Sequence, residues 1–480
     1  MIRRWWIGVV LLASVRLAHI NLLWADEDYH LAAAIQIVQG RVPYRDFWYD
    51  KPPLAALFYS VIGGYAGWPL RVLDVVYVVA CCWVAYLFAR DWWGEREGRT
   101  AALLLAFFMA FYLTSATVPL AVDGLLVLPH LGAVYLAGKA SIWREEAGCQ
   151  PAAGCHPAPR RVFAVLCGLC CAVGILTNVK GVFVAATCAV WVMGDLALFG
   201  VGFFVPLLVA AGAGWGLLRD FYVQVWQWGL VYAGTRSSVG LGVRRCADWL
   251  GFHGALLAGV IVARKEVGFR VGVWLVLSCV PLVMGNHFAP RYFFQILPVM
   301  VILGSRGVVL ACERSWGRVV MAVLLLVPVV RFGPRYGELV WDNVAGRRTT
   351  WTDAALDLDS QDVAKFINAR KRAGDRLFVW GYRPDVYVYT RLMPAGKFWD
   401  SQPLDGVPAD RHLESQEPSA GIPAAAYRAE VVKSAPRFVV DGLGLLNPGL
   451  GLGRFPDLAG WLGGYRVVGR TKLSWIYERR

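Results

Sequence analysis

The sequence predicts a polytopic α-helical membrane protein that ends in a soluble α/β domain. Three observations carry this reading. The 480 residues are 57% hydrophobic and only 17% charged, with a mean hydropathy of +0.48, whereas a soluble domain is about one-quarter charged. Up to residue 332, apolar runs alternate with short basic loops. From residue 333 onward the chain holds 21 Lys/Arg and 17 Asp/Glu spread evenly, with no run long enough to span a bilayer.

These features exclude a disordered chain. The net charge of +14 reads as Lys and Arg flanking membrane spans, because the basic residues are dispersed and form no nucleic-acid face. The expected domains are therefore residues 1–332, spanning, and residues 333–480, α/β and extracytoplasmic. Cys81, Cys82, Cys167, Cys170, Cys171, Cys188 and Cys279 lie in apolar runs, where Cys acts as a small hydrophobe.

Eleven spans, at most 13, are expected. The apolar runs cover about 5–24, 71–89, 100–113, 120–138, 162–178, 181–195, 197–218, 250–263, 271–285, 292–304 and 318–332. Met1-Ile2-Arg3-Arg4 precedes the first run. No small-x-small cleavage site follows it, so the run is expected to stay as the first span. With the N-terminus inside, eleven spans put the tail outside. The loops then expected inside hold Arg90, Arg96, Arg99, Lys139, Arg144, Arg160, Arg161, Arg264, Lys265, Arg270, Arg306, Arg314 and Arg318. Two long loops, 25–70 and 219–249, fall outside. In the tail, 359–372 and 424–433 have helical periodicity, and 376–380, 386–390, 437–440 and 472–477 read as strands. The alternation favours a small α/β sheet.

The first outside loop is the most informative segment. It opens Ala25-Asp26-Glu27-Asp28-Tyr29-His30, and carboxylates beside a membrane face are costly unless solvated or used. It continues through a helical run, 31–40, to Val42-Pro43-Tyr44-Arg45-Asp46-Phe47-Trp48-Tyr49-Asp50-Lys51-Pro52-Pro53-Leu54. That density of aromatics, prolines and charges is too great for a passive connector. Trp and Tyr favour the membrane interface.

This pattern of an acidic pair, a helix, a P-Y-R-D-F-W run and K-P-P-L resembles the superfamily C glycosyltransferases. It is most similar to the branch of protein O-mannosyltransferases and lipid A aminoarabinose transferases. Asn286-His287-Phe288-Ala289-Pro290-Arg291-Tyr292 before a late span and Phe378 to Tyr387 in the tail extend the resemblance. It implies a membrane enzyme that takes a sugar from a polyprenyl-phosphate carrier outside the cytoplasm and passes it to a hydroxyl of a protein, glycolipid or cell-wall glycan. The setting would be a bacterial-type cytoplasmic membrane.

The resemblance implies a general base at Asp26 or Glu27, with Asp26 favoured. Chemistry agrees, since an acceptor hydroxyl must lose its proton as it attacks the sugar C1. Lys51, by its place in K-P-P, would contact phosphate. Arg291 suits phosphate as a two-pronged donor, and Lys180, in a K-G pair, is a further carrier contact. Asp123, Tyr29, Tyr44 and His287 would line the substrate cavity, with Phe47 and Trp48 among the aromatics.

Each position has a competing structural reading. Asp26, Glu27, Asp28 and Asp123 suit helix N-termini. Lys51 and Lys180 can reach lipid headgroups, and His287 reads as an ordinary interfacial histidine. Arg16, inside the first run, either serves function or extends outward. Trp226, Trp228, Tyr232 and Arg236 in 219–249 suggest a lid. No metal site is expected, because Cys149, Cys155 and His156 lack zinc spacing, although adjacent carboxylates leave Mg²⁺ or Mn²⁺ open. Gly442, Gly444, Gly449, Gly451 and Gly453 lack the strand–helix context of a dinucleotide site. A lipid-linked-sugar transporter and an assembly protein are the rival functions.

Overall fold

A computed structural model describes residues 5–112, 120–146, 158–234, 238–284 and 287–480. Cys149, Cys155, His156, Arg236 and Asn286 lie outside them. The chain forms two compact units. A helical unit takes Met1–His19, Arg71–Gly216 and Arg236–Gly346, and a mixed unit takes Ile20–Leu70, Leu217–Thr235 and Arg347–Arg480.

Each expected apolar run of the helical unit contains a helix. Among the described residues, four helices are long and apolar enough to cross a membrane: Trp68–Trp93, Arg160–Thr177, Met193–Ala213 and Ser315–Val344. A fifth appears if Val239–Phe252 and Gly254–Val262, bent by 74°, count as one span. Two of the other runs are broken near their start. The run 120–138 starts as a short turn, Val122–Leu125, before Val127–Glu146. The run 292–304 starts as a 3-10 helix, Pro290–Gln295, and Pro298 opens Leu297–Ala311, where its missing N–H costs nothing. The last helix runs on to Val344, past the compositional change at residue 333.

Small residues let these helices approach closely. A Cβ at Gly202 would collide with the Val165 carbonyl, and one at Gly307 with the Gly259 carbonyl. Arg16 does not extend outward. It is buried, donates to the Met109 carbonyl at 3.1 Å and lies 4.0 Å from Asp74, which Arg71 also holds at 2.7 Å. Burial in an apolar bundle makes such pairing obligatory.

The mixed unit is built on a five-stranded sheet in the order β2-β1-β3-β5-β4. The strands are β1 Arg376–Trp380, β2 Met393–Pro394, β3 Phe438–Asp441, β4 Tyr465–Arg470 and β5 Trp475–Arg479. β1 pairs in parallel with β2 and β3, and β5 runs antiparallel to β3 and β4. Helix Ala355–Asn368 buries Val363, Ala364 and Ile367.

The stretch 386–390 is not a strand but part of helix Asp385–Thr390. Its β-branched and aromatic content suggested a strand, yet Pro384 sets a helical turn at its start and the Tyr387 hydroxyl accepts from Val379 N at 3.0 Å. Tertiary contact overrides a weak strand propensity here. Residues 25–70, the first loop expected outside, belong to this unit through helices Glu27–Val38 and Pro53–Ser60. Arg391 donates to the Gly63 and Gly64 carbonyls, and Trp399 Nε1 donates to the Trp48 carbonyl at 2.6 Å.

Candidate active site

Five of the singled-out residues fall in the mixed unit: Asp26, Glu27, Tyr29, Tyr44 and Lys51. Four fall in the helical unit: Asp123, Lys180, His287 and Arg291.

Asp26 directly precedes helix Glu27–Val38, where a carboxylate ordinarily accepts from the first-turn N–H groups. It makes no such side-chain bond, and its backbone sits at φ 76°, ψ −40°. That conformation is sparsely populated for a residue with a Cβ and stores of order 1–3 kcal/mol. Its Oδ1 instead accepts from the Tyr382 hydroxyl at 3.3 Å. Glu27 is fully buried in the first helical turn, a position where the helix dipole favours negative charge.

Asp28 is buried, and its Oδ1 accepts from Tyr29 N at 2.7 Å. Burial raises its carboxyl well above the usual range, with Asp385 and then Asp26 adding to the effect. Burial also pushes Asp357 up to about 7 and Asp385 to about 6. Asp28 thus belongs to a set of carboxyls inclined to stay protonated, not to a cap.

Lys51 is positioned by the strained turn ahead of it. Tyr44 has φ 69°, and its hydroxyl donates to the Lys51 carbonyl at 2.9 Å. Gln224 bridges Tyr44 O at 2.7 Å and Tyr49 N at 2.9 Å. It stands in the π-helical turn Tyr222–Gln227 of the segment expected to act as a lid. Lys51 Nζ lies 2.5 Å from Asp50 Oδ2, and with 32% of its side chain exposed it can still meet a ligand. Pro52 and Pro53 then start helix Pro53–Ser60. Asp50 N donates to the Tyr29 hydroxyl at 3.3 Å. Tyr29 is buried in a stack with Trp399, Tyr49 and Tyr382, at 4.8, 5.4 and 5.6 Å. Tyr29 and Tyr44 therefore build the site's frame.

In the helical unit, Asp123 Oδ1 accepts from Lys180 Nζ at 2.8 Å and from Asn178 Nδ2 at 3.0 Å. Asn178 Oδ1 accepts from Lys180 N at 3.0 Å. Lys180 Nζ sits 3.4 Å from the centre of the Tyr292 ring, and the Arg291 guanidinium is 5.9 Å from it. Two cations thus lie within reach of one aromatic ring, a favourable arrangement for each. His287 is buried, and its carbonyl accepts from Arg245 at 2.5 Å. Asp123 stands at one end of its helical segment and Lys139, bound to Asp91 at 2.6 Å, near the other.

Among the described residues, one group of three has metal-ligand spacing: Cys167, Cys171 and Cys188, buried, with sulfurs within 4.8 Å of one another. A thiolate set suits soft metals, not Mg²⁺ or Mn²⁺. Three thiolates in an apolar bundle are costly, so these thiols read as packing groups.

The sequence does not point to Tyr382, Gln224 or Trp399. Each meets the first loop from more than 170 residues away, and no local pattern announces such a contact.

Residues 50–150 match the family model of dolichyl-phosphate-mannose-protein mannosyltransferases. No curated protein matches the sequence. Among solved structures, ArnT from Cupriavidus metallidurans bound to undecaprenyl phosphate aligns with a TM-score of 0.61 at 13% identity, over 99% of this chain and 97% of that one. The Archaeoglobus fulgidus oligosaccharyltransferase in the apo form aligns at 0.52 and 12% identity, over 95% and 71%. The oligosaccharyltransferase AglB from Archaeoglobus fulgidus, in complex with an inhibitory peptide and a dolichol-phosphate, aligns at 0.50 and 11% identity, over 100% and 74%. Residues 50–150 are thus similar to the dolichyl-phosphate-mannose-protein mannosyltransferases, and the chain as a whole shares its fold with ArnT and the oligosaccharyltransferase.

Proposed function

We propose that the protein transfers a sugar from a polyprenyl-phosphate carrier to a hydroxyl acceptor on the outer face of a cytoplasmic membrane. The observation that carries this reading is Asp26: a carboxylate on a strained backbone, whose side chain makes no capping hydrogen bond, in the same compact unit as Lys51, the cation expected to meet phosphate. The undecaprenyl phosphate of ArnT and the dolichol-phosphate of AglB support a polyprenyl phosphate as carrier.

In the proposed reaction Asp26 takes the proton of the acceptor hydroxyl. The oxygen attacks the sugar C1 as the bond from C1 to the phosphate oxygen breaks. The phosphate leaves with the electron pair, and the anomeric centre inverts. A positioned base is worth 10²–10⁴-fold in rate, and fixed cations stabilise the leaving charge. Lys51 supplies one such cation. Lys180, held by Asp123, and Arg291 are the further candidates for carrier contacts. The topology proposed with this activity has eleven spans and an extracytoplasmic tail. Its cytoplasmic ends include the one marked by Lys139.

The test uses purified protein in vesicles with a panel of labelled polyprenyl-phosphate pentoses and hexoses, plus a membrane extract as acceptor source. Protein-dependent release of free polyprenyl phosphate, with label moved to an extract component, is expected. Movement of intact donor between leaflets without release would instead identify a transporter. Lysine and arginine can carry the phosphate charge without a metal, so turnover is expected to survive chelation by EDTA. Loss of turnover, restored by Mg²⁺ or Mn²⁺, would assign Asp26 and Glu27 to a cation.

A further inference from the structure

The tail supplies more than a scaffold. Tyr382 follows β1, and its place is fixed on both sides. Gly442 N donates to the Trp380 carbonyl at 2.8 Å, and Gly381 turns the chain at φ 108°. Arg383, next in sequence, is buried and clamped to Ser360 at 2.6 Å, the Leu356 carbonyl at 2.8 Å and Asp359 at 3.2 Å. From this anchored position the Tyr382 ring stacks on Tyr29 at 5.6 Å. Its hydroxyl reaches Asp26 Oδ1 at 3.3 Å.

Three features of Asp26 gain a common cause from this contact. The residue adopts a strained backbone, its side chain does not cap the helix it precedes, and an oxygen points at a phenol 356 positions away. Strain of this kind persists only where surrounding structure imposes it, and it concentrates at functional sites. A phenol is a suitable donor because it stays protonated at working pH. Burial and the nearby Asp26, Asp28, Asp50 and Asp400 all push Tyr382 well above its ordinary range. A hydrogen bond to a carboxylate favours its charged form, the form a general base needs.

We infer that the C-terminal domain is a working part of the active site, through Tyr382 as the positioning residue that orients the Asp26 carboxylate by donating to its Oδ1. This rests on the reading of Asp26 as the base.

The experiment compares full-length wild type with Tyr382→Phe and Asp26→Asn in vesicles, using the donor that the panel above identifies. Turnover is followed from pH 5 to 9. Tyr382→Phe keeps the ring and its stack but removes the donated proton. Its acid limb is expected to move up by about one pH unit, with turnover falling about tenfold below that limb and recovering above it. Donor KM is expected to stay within about twofold. A carboxyl infrared band absent from Asp26→Asn should titrate at correspondingly higher pH in Tyr382→Phe. Incorporation of 3-fluorotyrosine at position 382 strengthens the donor and should move the limb down, which provides a second variant. An unchanged limb, or a loss uniform across pH, with Asp26→Asn inactive would overturn the role of Tyr382 and leave the base intact. An active Asp26→Asn would remove the base reading itself.

Discussion

Two sets of buried carboxyls, one in each unit, are handled in opposite ways. In the helical unit, carboxylates hold cations: Asp123 takes Lys180, and Asp74 takes Arg71. In the mixed unit, Asp28, Asp357 and Asp385 lie among one another, with phenol and amide partners such as Tyr389 and Gln361 on Asp357. Arg383 lowers Asp385, but burial outweighs it. The first arrangement keeps charge in a bundle that could not hold it unpaired. The second holds carboxyls near neutrality beside Asp26, so that deprotonation of one neighbour changes the field at the site.

Breaking the pairs should expose this contrast. Lys180→Met leaves Asp123 buried and unbalanced, and a loss of about 3 kcal/mol is expected. Thermal unfolding in detergent reads it, and the double variant with Asp123→Asn should recover most of it. If Lys180→Met alone unfolds like wild type, the pair is not structural.

The same amide substitution in the mixed unit should behave differently. Asp28→Asn replaces a carboxyl already inclined to be neutral, so stability at pH 7 is expected to change by less than about 1 kcal/mol. A loss as large as that of Lys180→Met would remove the contrast.

Proton linkage gives a third, smaller effect. Burial raises Asp400 and Asp357 to about 7 and Asp385 to about 6 in the folded chain, above an unfolded value near 3.9. The folded state then binds more protons than the unfolded one between about pH 4 and 7. The stabilisation is complete below the unfolded value and is lost as pH rises through 6 to 7. The mixed unit should melt at higher temperature at pH 5 than at pH 8, and Asp400→Asn should flatten that slope. The smallest effect is expected for Arg348→Ala, which breaks an exposed pair with Asp362. It should cost no more than about 0.5 kcal/mol, whichever unit dominates the melt.

Much of this was legible in the sequence, for physical reasons that also set its limit. Strand Arg376–Trp380 and helix Ala424–Val432 fall where periodicity and turn residues put them, because local pattern specifies local structure. Lys180 and Asp123 could be named as candidates separately, but their 2.8 Å contact is a property of packed helices. Val386 to Thr390 misleads because its β-branched residues serve packing in a helix. Asp26 stands out as an acidic residue after an apolar run, yet its φ of 76° and its Tyr382 partner have no sequence signature. Contacts across hundreds of residues follow from tertiary packing, which local pattern does not encode.

The most direct test of the account compares donor binding with donor turnover in Asp26→Asn. The variant removes the proton acceptor while leaving Lys51 and the helical cations in place. Binding of a labelled polyprenyl-phosphate sugar should stay within a few-fold of wild type while turnover falls at least 10²-fold. Turnover near the wild-type rate, at unchanged affinity, would contradict the assignment of Asp26 as the base.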